Sequence, residues 1–205
     1  MEAARTLIRE KGGSGFSMRE LAAKAGVSYA TPYNLLSSKT NLLTLVVQEE
    51  FALFRHKMNL MAPTSGLDRL LAIVDLLATH YADDQAFYFG FFAAAGTAGE
   101  GSLGPVLQEQ ARTLFRGLVQ TAVADEDNTQ NLDLFMLTDI LLRTLRATVE
   151  AWYVAGWSTA HFQDVFAYSA RVVLLPALKG FNEQRVRSEL SLIQTRFTEQ
   201  IQNAA

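Results

Sequence analysis

Between Ser17 and Leu43 the chain gathers side chains that suit contact with a polyanion. Ser28 and Thr31 carry hydroxyls, Tyr29 and Tyr33 carry phenols, and Lys39 carries a compact positive charge. Hydroxyl and phenol groups donate to phosphate oxygens, lysine adds a point charge, and Ala30 with the Thr31 methyl offers apolar contact to a thymine methyl. Such groups act together only if local structure presents them on one side. The flanking residues predict that structure. Ser17-x-x-Glu20 is a capping box that starts a helix running to about Ala25. Gly26 supplies a positive-φ turn, Ser28 a second N-cap, and a third helix follows from Tyr29 to about Leu36. Two short helices around a tight turn read as a helix-turn-helix, whose first helix braces a second one in the DNA major groove. Met18, Leu21, Ala22, Ala25 and Val27 would form its packed side, with Tyr29, Ala30, Thr31 and Tyr33 facing outward. An ordinary αα-corner shares the same bare pattern.

Charge is divided along the chain in the sense a nucleic-acid contact needs. Arg5, Arg9, Lys11, Arg19, Lys24 and Lys39 face only Glu2, Glu10 and Glu20 within residues 1–45, a net +3, whereas the remaining residues carry −6 of the overall −3. A basic segment on an acidic body allows binding at one end without a polyanion-seeking protein overall. With 205 residues at 49% apolar composition, the chain is long enough to bury a sizeable core. It has no cysteine, which excludes disulfides, thiolate metal sites and a cysteine nucleophile and fits a reducing compartment. No signal-peptide pattern opens the sequence, and the longest uncharged run, Gln85 to Gly99, is too short to span a bilayer. A cytoplasmic protein without membrane contact is expected.

Apolar spacing is helical almost throughout, so the expected fold class is all-α: an N-terminal three-helix DNA-binding domain plus a larger helical domain. The first helix covers about Glu2 to Lys11 and stops at Gly12-Gly13. A long helix from Lys39 to Leu60 ends before Pro63, and Leu67, Leu70, Leu71, Val74, Leu77 and Tyr81 form one apolar stripe on the next. Gln85 to Ala95 is apolar on all sides, and Gly96 to Gly104, with four glycines, reads as a connection. Helices over Pro105–Val123, about Thr129–Ala155 and Thr159–Lys179 follow, the acidic tract Asp125–Asp127 being a solvated loop. Val186, Leu190, Ile193, Phe197 and Ile201 mark a final amphipathic helix. Pro176 is expected to kink its helix.

In the larger part, Phe87, Tyr88, Phe89, Phe91 and Phe92 crowd more rings onto one short helix than a single packed face requires. With Phe54, Met58, Leu77, Tyr81 and Phe115 they would line a pocket for an apolar effector; the same stripe also reads as plain core. Asp139 with Arg143, and Arg146 with Glu150, are spaced for helical ion pairs, and Arg143 is a candidate polar group of the pocket. Trp152, Trp157, Phe162, Phe166, Val173 and Leu174 spread over several faces of two late helices, which predicts a homodimer interface there. His56, His80 and His161 are too scattered for a metal site, and no phosphate-binding loop, nucleophile elbow or acid/base pair is visible. No catalytic residue, metal or cofactor is expected.

The run Ala3 to Val46, AARTLIREKGGSGFSMRELAAKAGVSYATPYNLLSSKTNLLTLV, resembles the DNA-binding domain of the TetR family of one-component transcriptional regulators. The resemblance rests on Lys-Gly closing the first helix, the Arg-Glu-Leu-Ala helix, Ala-Gly-Val-Ser at the turn, a late Tyr, and Ser-Lys before a Leu-Leu helix. It implies DNA contacts from Thr31 and Tyr33, with Ser28, Tyr29 and Ala30 at the helix's leading end and Lys39 on phosphate. Pro32 inside the reading helix and Leu35-Leu36 in place of an aromatic pair depart from the family pattern. The implied division is a helix-turn-helix domain over 1–45 and a ligand-binding and dimerisation domain over 46–205. The implied function is a repressor that leaves an inverted-repeat operator on double-stranded DNA when a small hydrophobic effector binds. Two rivals are an all-helical carrier of apolar molecules without DNA binding and a helical enzyme.

Overall fold

The computed structural model describes residues 1–12, 15–62, 65–96, 104–124 and 132–204. Among them the architecture is all α-helical, as the apolar spacing indicates: α1 (Glu2–Lys11), α2 (Met18–Lys24), α3 (Ala30–Leu36), α4 (Lys39–Asn59), α5 (Gly66–Asp83), α6 (Gln85–Gly96), α7 (Gly104–Val123), α8 (Leu134–Ala155), α9 (Thr159–Leu174) and α10 (Gly180–Ala204). The helices form two compact units, Met1–Lys57 with Asp83–Gln110, and Met58–Ala82 with Ala111–Ala205. The DNA-binding segment read over 1–45 thus shares its unit with most of α4 and with α6. The expected glycine-rich connection between α6 and α7 and the acidic tract at 125–127 lie outside the described residues.

In the first unit, Leu7 and Ile8 of α1, Leu21 of α2, Val46 and Val47 of α4, and Phe87 and Phe91 of α6 are almost fully buried. Burying side chains of this size stabilises by about 1.5–3 kcal/mol each. α6 lies directly on α1. A Cβ at Gly90 would stand 2.3 Å from the Ile8 carbonyl oxygen, so only glycine permits this approach. Between them sits a buried carboxylate, Glu50 of α4, which receives the Arg5 guanidinium and the Tyr88 phenol. Arg5 also lies 4.1 Å from the Phe87 ring centre, and Arg9 grips Asp84 through its Nε and Nη2.

The second unit is built around aromatic packing between α8 and α9. Trp152 stacks on Phe162 with centroids 4.2 Å apart, Phe162 meets Phe166 at 5.3 Å, and Tyr81 of α5 meets Phe166 edge-on at 6.4 Å. Arg171 is buried with both Asp75 carboxylate oxygens at 3.2 Å and Glu189 at 2.8 Å, tying α5, α9 and α10 together. Burial of this charge is tolerable because two acids and the Ala167 carbonyl receive it.

The expected dimer residues belong to this core. Trp152, Phe162, Phe166 and Leu174 are each 0% exposed in the single chain, so no surface of theirs remains for a partner. Trp157 and Val173 are half-buried. Nor does Pro176 kink α9: the helix ends at Leu174 and passes into a 3-10 turn, Leu175–Ala177. A proline ring there clashes with the carbonyl four residues back and supplies no amide, so the α-helical ladder stops.

Candidate nucleic-acid interface and effector region

The reading helix is positioned by two local devices that the sequence announces. Ser17 Oγ accepts from the Glu20 amide while a Glu20 carboxylate oxygen accepts from the Ser17 amide, closing the capping box of α2. The Lys11 ammonium, helped by Ser17, holds the Glu20 carboxyl down to about 2. At the other end Gly26 takes φ 67°, the Val27 amide donates to the Ala22 carbonyl and the Gly26 amide to the Ala23 carbonyl. These two bonds form the Schellman pattern, which reverses the chain into α3.

Several details differ from the expected arrangement. α3 begins at Ala30 with Tyr29 as its N-cap residue, and Ser28 caps no amide; its hydroxyl is 2.8 Å from that of Thr31. Ala25 and Val27 are exposed rather than packed, because the Schellman turn carries them outward. Pro32 turns its ring inward and is buried. As the third residue of the helix it lacks only an amide that has no helical acceptor anyway.

Tyr29, Ala30 and Tyr33 are exposed and Thr31 is half-buried. The two phenol rings meet edge-on with centroids 5.3 Å apart, and hydrogen bonding to Tyr29 raises the Tyr33 phenol above its ordinary range. The pair presents a shallow aromatic and hydroxyl surface suited to base edges and phosphate oxygens. Lys39, which the resemblance sets on phosphate, is held against Phe16 in the single chain. Its ammonium donates to the Phe16 carbonyl and sits 4.3 Å from the Phe16 ring centre, and burial lowers its pKa.

The surplus of positive charge is also largely consumed. Lys11 pairs with Glu20, Lys24 with Glu10 at 2.8 Å, Arg9 with Asp84 at 2.7 Å and Arg5 with Glu50. The acids that answer Arg5 and Arg9 come from α4 and from the residue just before α6, beyond the stretch whose composition reads as basic. Arg19, exposed on α2, makes neither an ion pair nor a hydrogen bond among the described residues.

The expected effector residues fall in both units. In the first, Phe54, Tyr88 and Phe91 are buried and Phe92 half-buried. Tyr88 lies 6.3 Å from Phe91 and 6.1 Å from Phe92, ring centre to ring centre. The Tyr88 hydroxyl is engaged by Glu50, an acid that stands on the buried stripe of α4 with Leu43, Val46, Val47 and Phe54. Its place on that stripe was the signal that sequence reasoning passed over. In the second unit, Met58 and Phe115 are buried, Leu77 and Tyr81 half-buried, and burial pushes the Tyr81 phenol well up. Arg143 does not belong with them: its side chain is 78% exposed and its Nε bonds Asp139 at 2.6 Å along the same helix.

The described residues thus combine a helix-turn-helix, with Tyr29 and Tyr33 exposed at its second helix, and further helices alone. Residues 1–46 match the family model for bacterial regulatory proteins of the tetR family. Over most of its length the chain has a fold similar to that of several solved transcriptional regulators. The transcriptional regulator FadR from Bacillus subtilis, solved with stearoyl-CoA, is similar with TM-score 0.68 and 15% identity, over 82% of this chain and 95% of that one. A TetR transcriptional regulator from a Rhodococcus species gives 0.62 and 19%, over 87% and 93%. The TetR family regulator PfmR from Thermus thermophilus gives 0.56 and 17%, over 84% and 95%. No curated protein matches the chain. Among the described residues no helix is long and apolar enough to cross a membrane, and no group of acids and histidines could hold a metal ion.

Proposed function

We propose that this chain is a homodimeric transcriptional repressor that leaves an inverted-repeat operator when a small hydrophobic effector binds. The observation that carries the reading is the capped helix-turn-helix with Tyr29 and Tyr33 exposed on α3 and at its start, within the segment that matches the tetR family. Phosphate contact falls to Arg19, the hydroxyls of Ser28 and Thr31 and the two phenols; Lys39 contributes by fixing the start of α4 against Phe16. The aromatic content of α6 and the buried Phe54, Met58 and Phe115 support an apolar effector. A neighbour in fold carries stearoyl-CoA, which makes a long acyl chain the first chemistry to try.

Two-fold protein symmetry requires half-sites about one helical turn, or a small multiple, apart. Selection from random duplexes at low salt should therefore recover an inverted repeat, and Tyr29→Ala or Thr31→Ala should change the recovered bases. For an effector to swing the protein from 99:1 bound to 1:99, it must prefer the released form by about 5.5 kcal/mol. Operator DNA must then weaken effector binding by the same factor. Stearoyl-CoA titrated against operator-bound protein, followed by fluorescence anisotropy, tests the release. Failure to enrich any palindrome would favour an apolar-ligand carrier instead.

A further inference from the structure

The turn and the reading helix of the first unit carry no charge. Residues 25–38 contain no Asp, Glu, Lys, Arg or His, and the lysines on either side are engaged, Lys24 by Glu10 at 2.8 Å and Lys39 by the Phe16 carbonyl. Exposed apolar side chains stand there instead. Val27 is 42% exposed and Leu35 77%, in the same stretch as the exposed Tyr29, Ala30 and Tyr33. Contiguous exposed apolar area marks a contact surface.

At about 100° per residue, Tyr29, Tyr33, Ala30 and Asn34 follow one another around about 140° of the helix. All four are exposed. Tyr29 belongs to this arc because its backbone, at φ −56° and ψ −33°, is already helical. The Ser28 and Thr31 hydroxyls lie 2.8 Å apart and bond each other. Arg19, the exposed cation nearby in sequence, stands on α2 and not on the arc.

What each base pair shows in the major groove decides what such an arc can read. Guanine is read best by Arg or Lys on its O6 and N7, and the cytosine amino group by Asp or Glu. Neither kind of side chain is present on the arc. Thymine presents a methyl group, complementary to Ala30 and to the edges of the two tyrosine rings. Adenine presents a donor beside an acceptor, which the amide of Asn34 matches.

Resting on the DNA-binding reading above, we infer that α3 reads A·T pairs, through apolar contact of Tyr29, Ala30 and Tyr33 with thymine methyl groups. The discriminating group is then uncharged, and deoxyuridine lacks it.

The test alters the DNA and leaves the full-length protein intact. Selection from random duplexes gives the operator, and the pairs under α3 are those whose preference moves in Tyr29→Ala or Thr31→Ala. These pairs should be A·T. Deoxyuridine in place of thymine at one such pair in each half-site removes a methyl twice and keeps every hydrogen-bonding group. Affinity by fluorescence anisotropy should fall about tenfold, from about three- to fourfold per buried methyl. The salt slope should stay unchanged, because no phosphate contact is lost. Where thymine is replaced by cytosine, 5-methylcytosine should recover at least about threefold of the loss, since it restores the methyl alone. Equal binding of the thymine and deoxyuridine duplexes overturns methyl readout, as do G·C pairs at the mapped positions or a preference that moves in neither variant. Each of these leaves operator binding itself standing. Failure to recover any inverted repeat overturns the DNA-binding reading as well.

Discussion

Replacing Glu50 by leucine tests how firmly α6 is fixed to α1 and α4. The change removes the carboxylate that receives Arg5 and Tyr88 while keeping an apolar side chain of similar length. Arg5 would retain Asp84 at 3.9 Å and the Phe87 ring at 4.1 Å. Breaking a buried ion pair from one side costs about 3–5 kcal/mol. The Arg5 side chain is 17% exposed, so water and Asp84 lower that figure. The phenol, left buried without its charged acceptor, adds about 1–3 kcal/mol. A net loss of about 3 kcal/mol is expected, which in a chain of this size lowers the midpoint of thermal unfolding by about 6–12 °C. Arg5→Met alone should cost a similar amount, because it leaves Glu50 buried without the guanidinium. Combining the two changes removes both charges, so the double variant should be more stable than the sum of the singles predicts by about 1–3 kcal/mol. Urea unfolding followed by far-ultraviolet circular dichroism measures all four proteins. A Glu50→Leu loss below about 1 kcal/mol, or strict additivity in the double variant, would refute the account of a buried charge held by two partners.

The Glu20 carboxyl is held to about 2 in the folded chain, below its ordinary unfolded value, so the stability it contributes is complete above that value and is lost as pH falls from about 5 toward 2. Glu20→Gln should flatten the acid limb of the melting temperature against pH, and superimposable limbs would contradict the assignment. Gly90→Ala should destabilise by about 1–3 kcal/mol through collision with the Ile8 carbonyl, whereas Gly117→Ala, with open space around it in α7, should stabilise by about 0.5–1 kcal/mol. Equal effects at the two glycines in urea unfolding would contradict the close approach of α6 to α1. Arg19→Ala should weaken operator binding and lower the salt slope by about two for a dimer, one phosphate per subunit, while Lys39→Ala should leave the slope nearly unchanged. The opposite ranking in salt-dependent anisotropy would return Lys39 to the phosphate.

Helix positions were largely legible because caps and breaks are local: α1 occupies Glu2–Lys11 as read, and the Ser17 box and the Gly26 turn depend only on neighbouring residues. What could not be read was which of several apolar faces a helix buries. α8 carries Trp152 and Leu145 on one side and Ile140 and Val154 on another, and only the packing of α9 decides between them. The same holds for charge. Lys39 looked available because its neighbours in sequence are polar, yet the carbonyl and ring that receive it belong to Phe16, on the far side of two helices in the chain.

The neutralised cations of the first unit bear on how a regulator finds its site. A genome offers on the order of a million or more competing stretches of duplex, and attraction to them grows with each unpaired positive charge. On the DNA-binding reading proposed above, folding Arg5 onto Glu50 and Arg9 onto Asp84 withholds charge from every sequence equally and leaves discrimination to Tyr29, Thr31 and Tyr33. On that same reading Glu50 and Asp84 would shorten the time spent on wrong DNA, and a fragment cut after residue 46 would lose that restraint together with its packing.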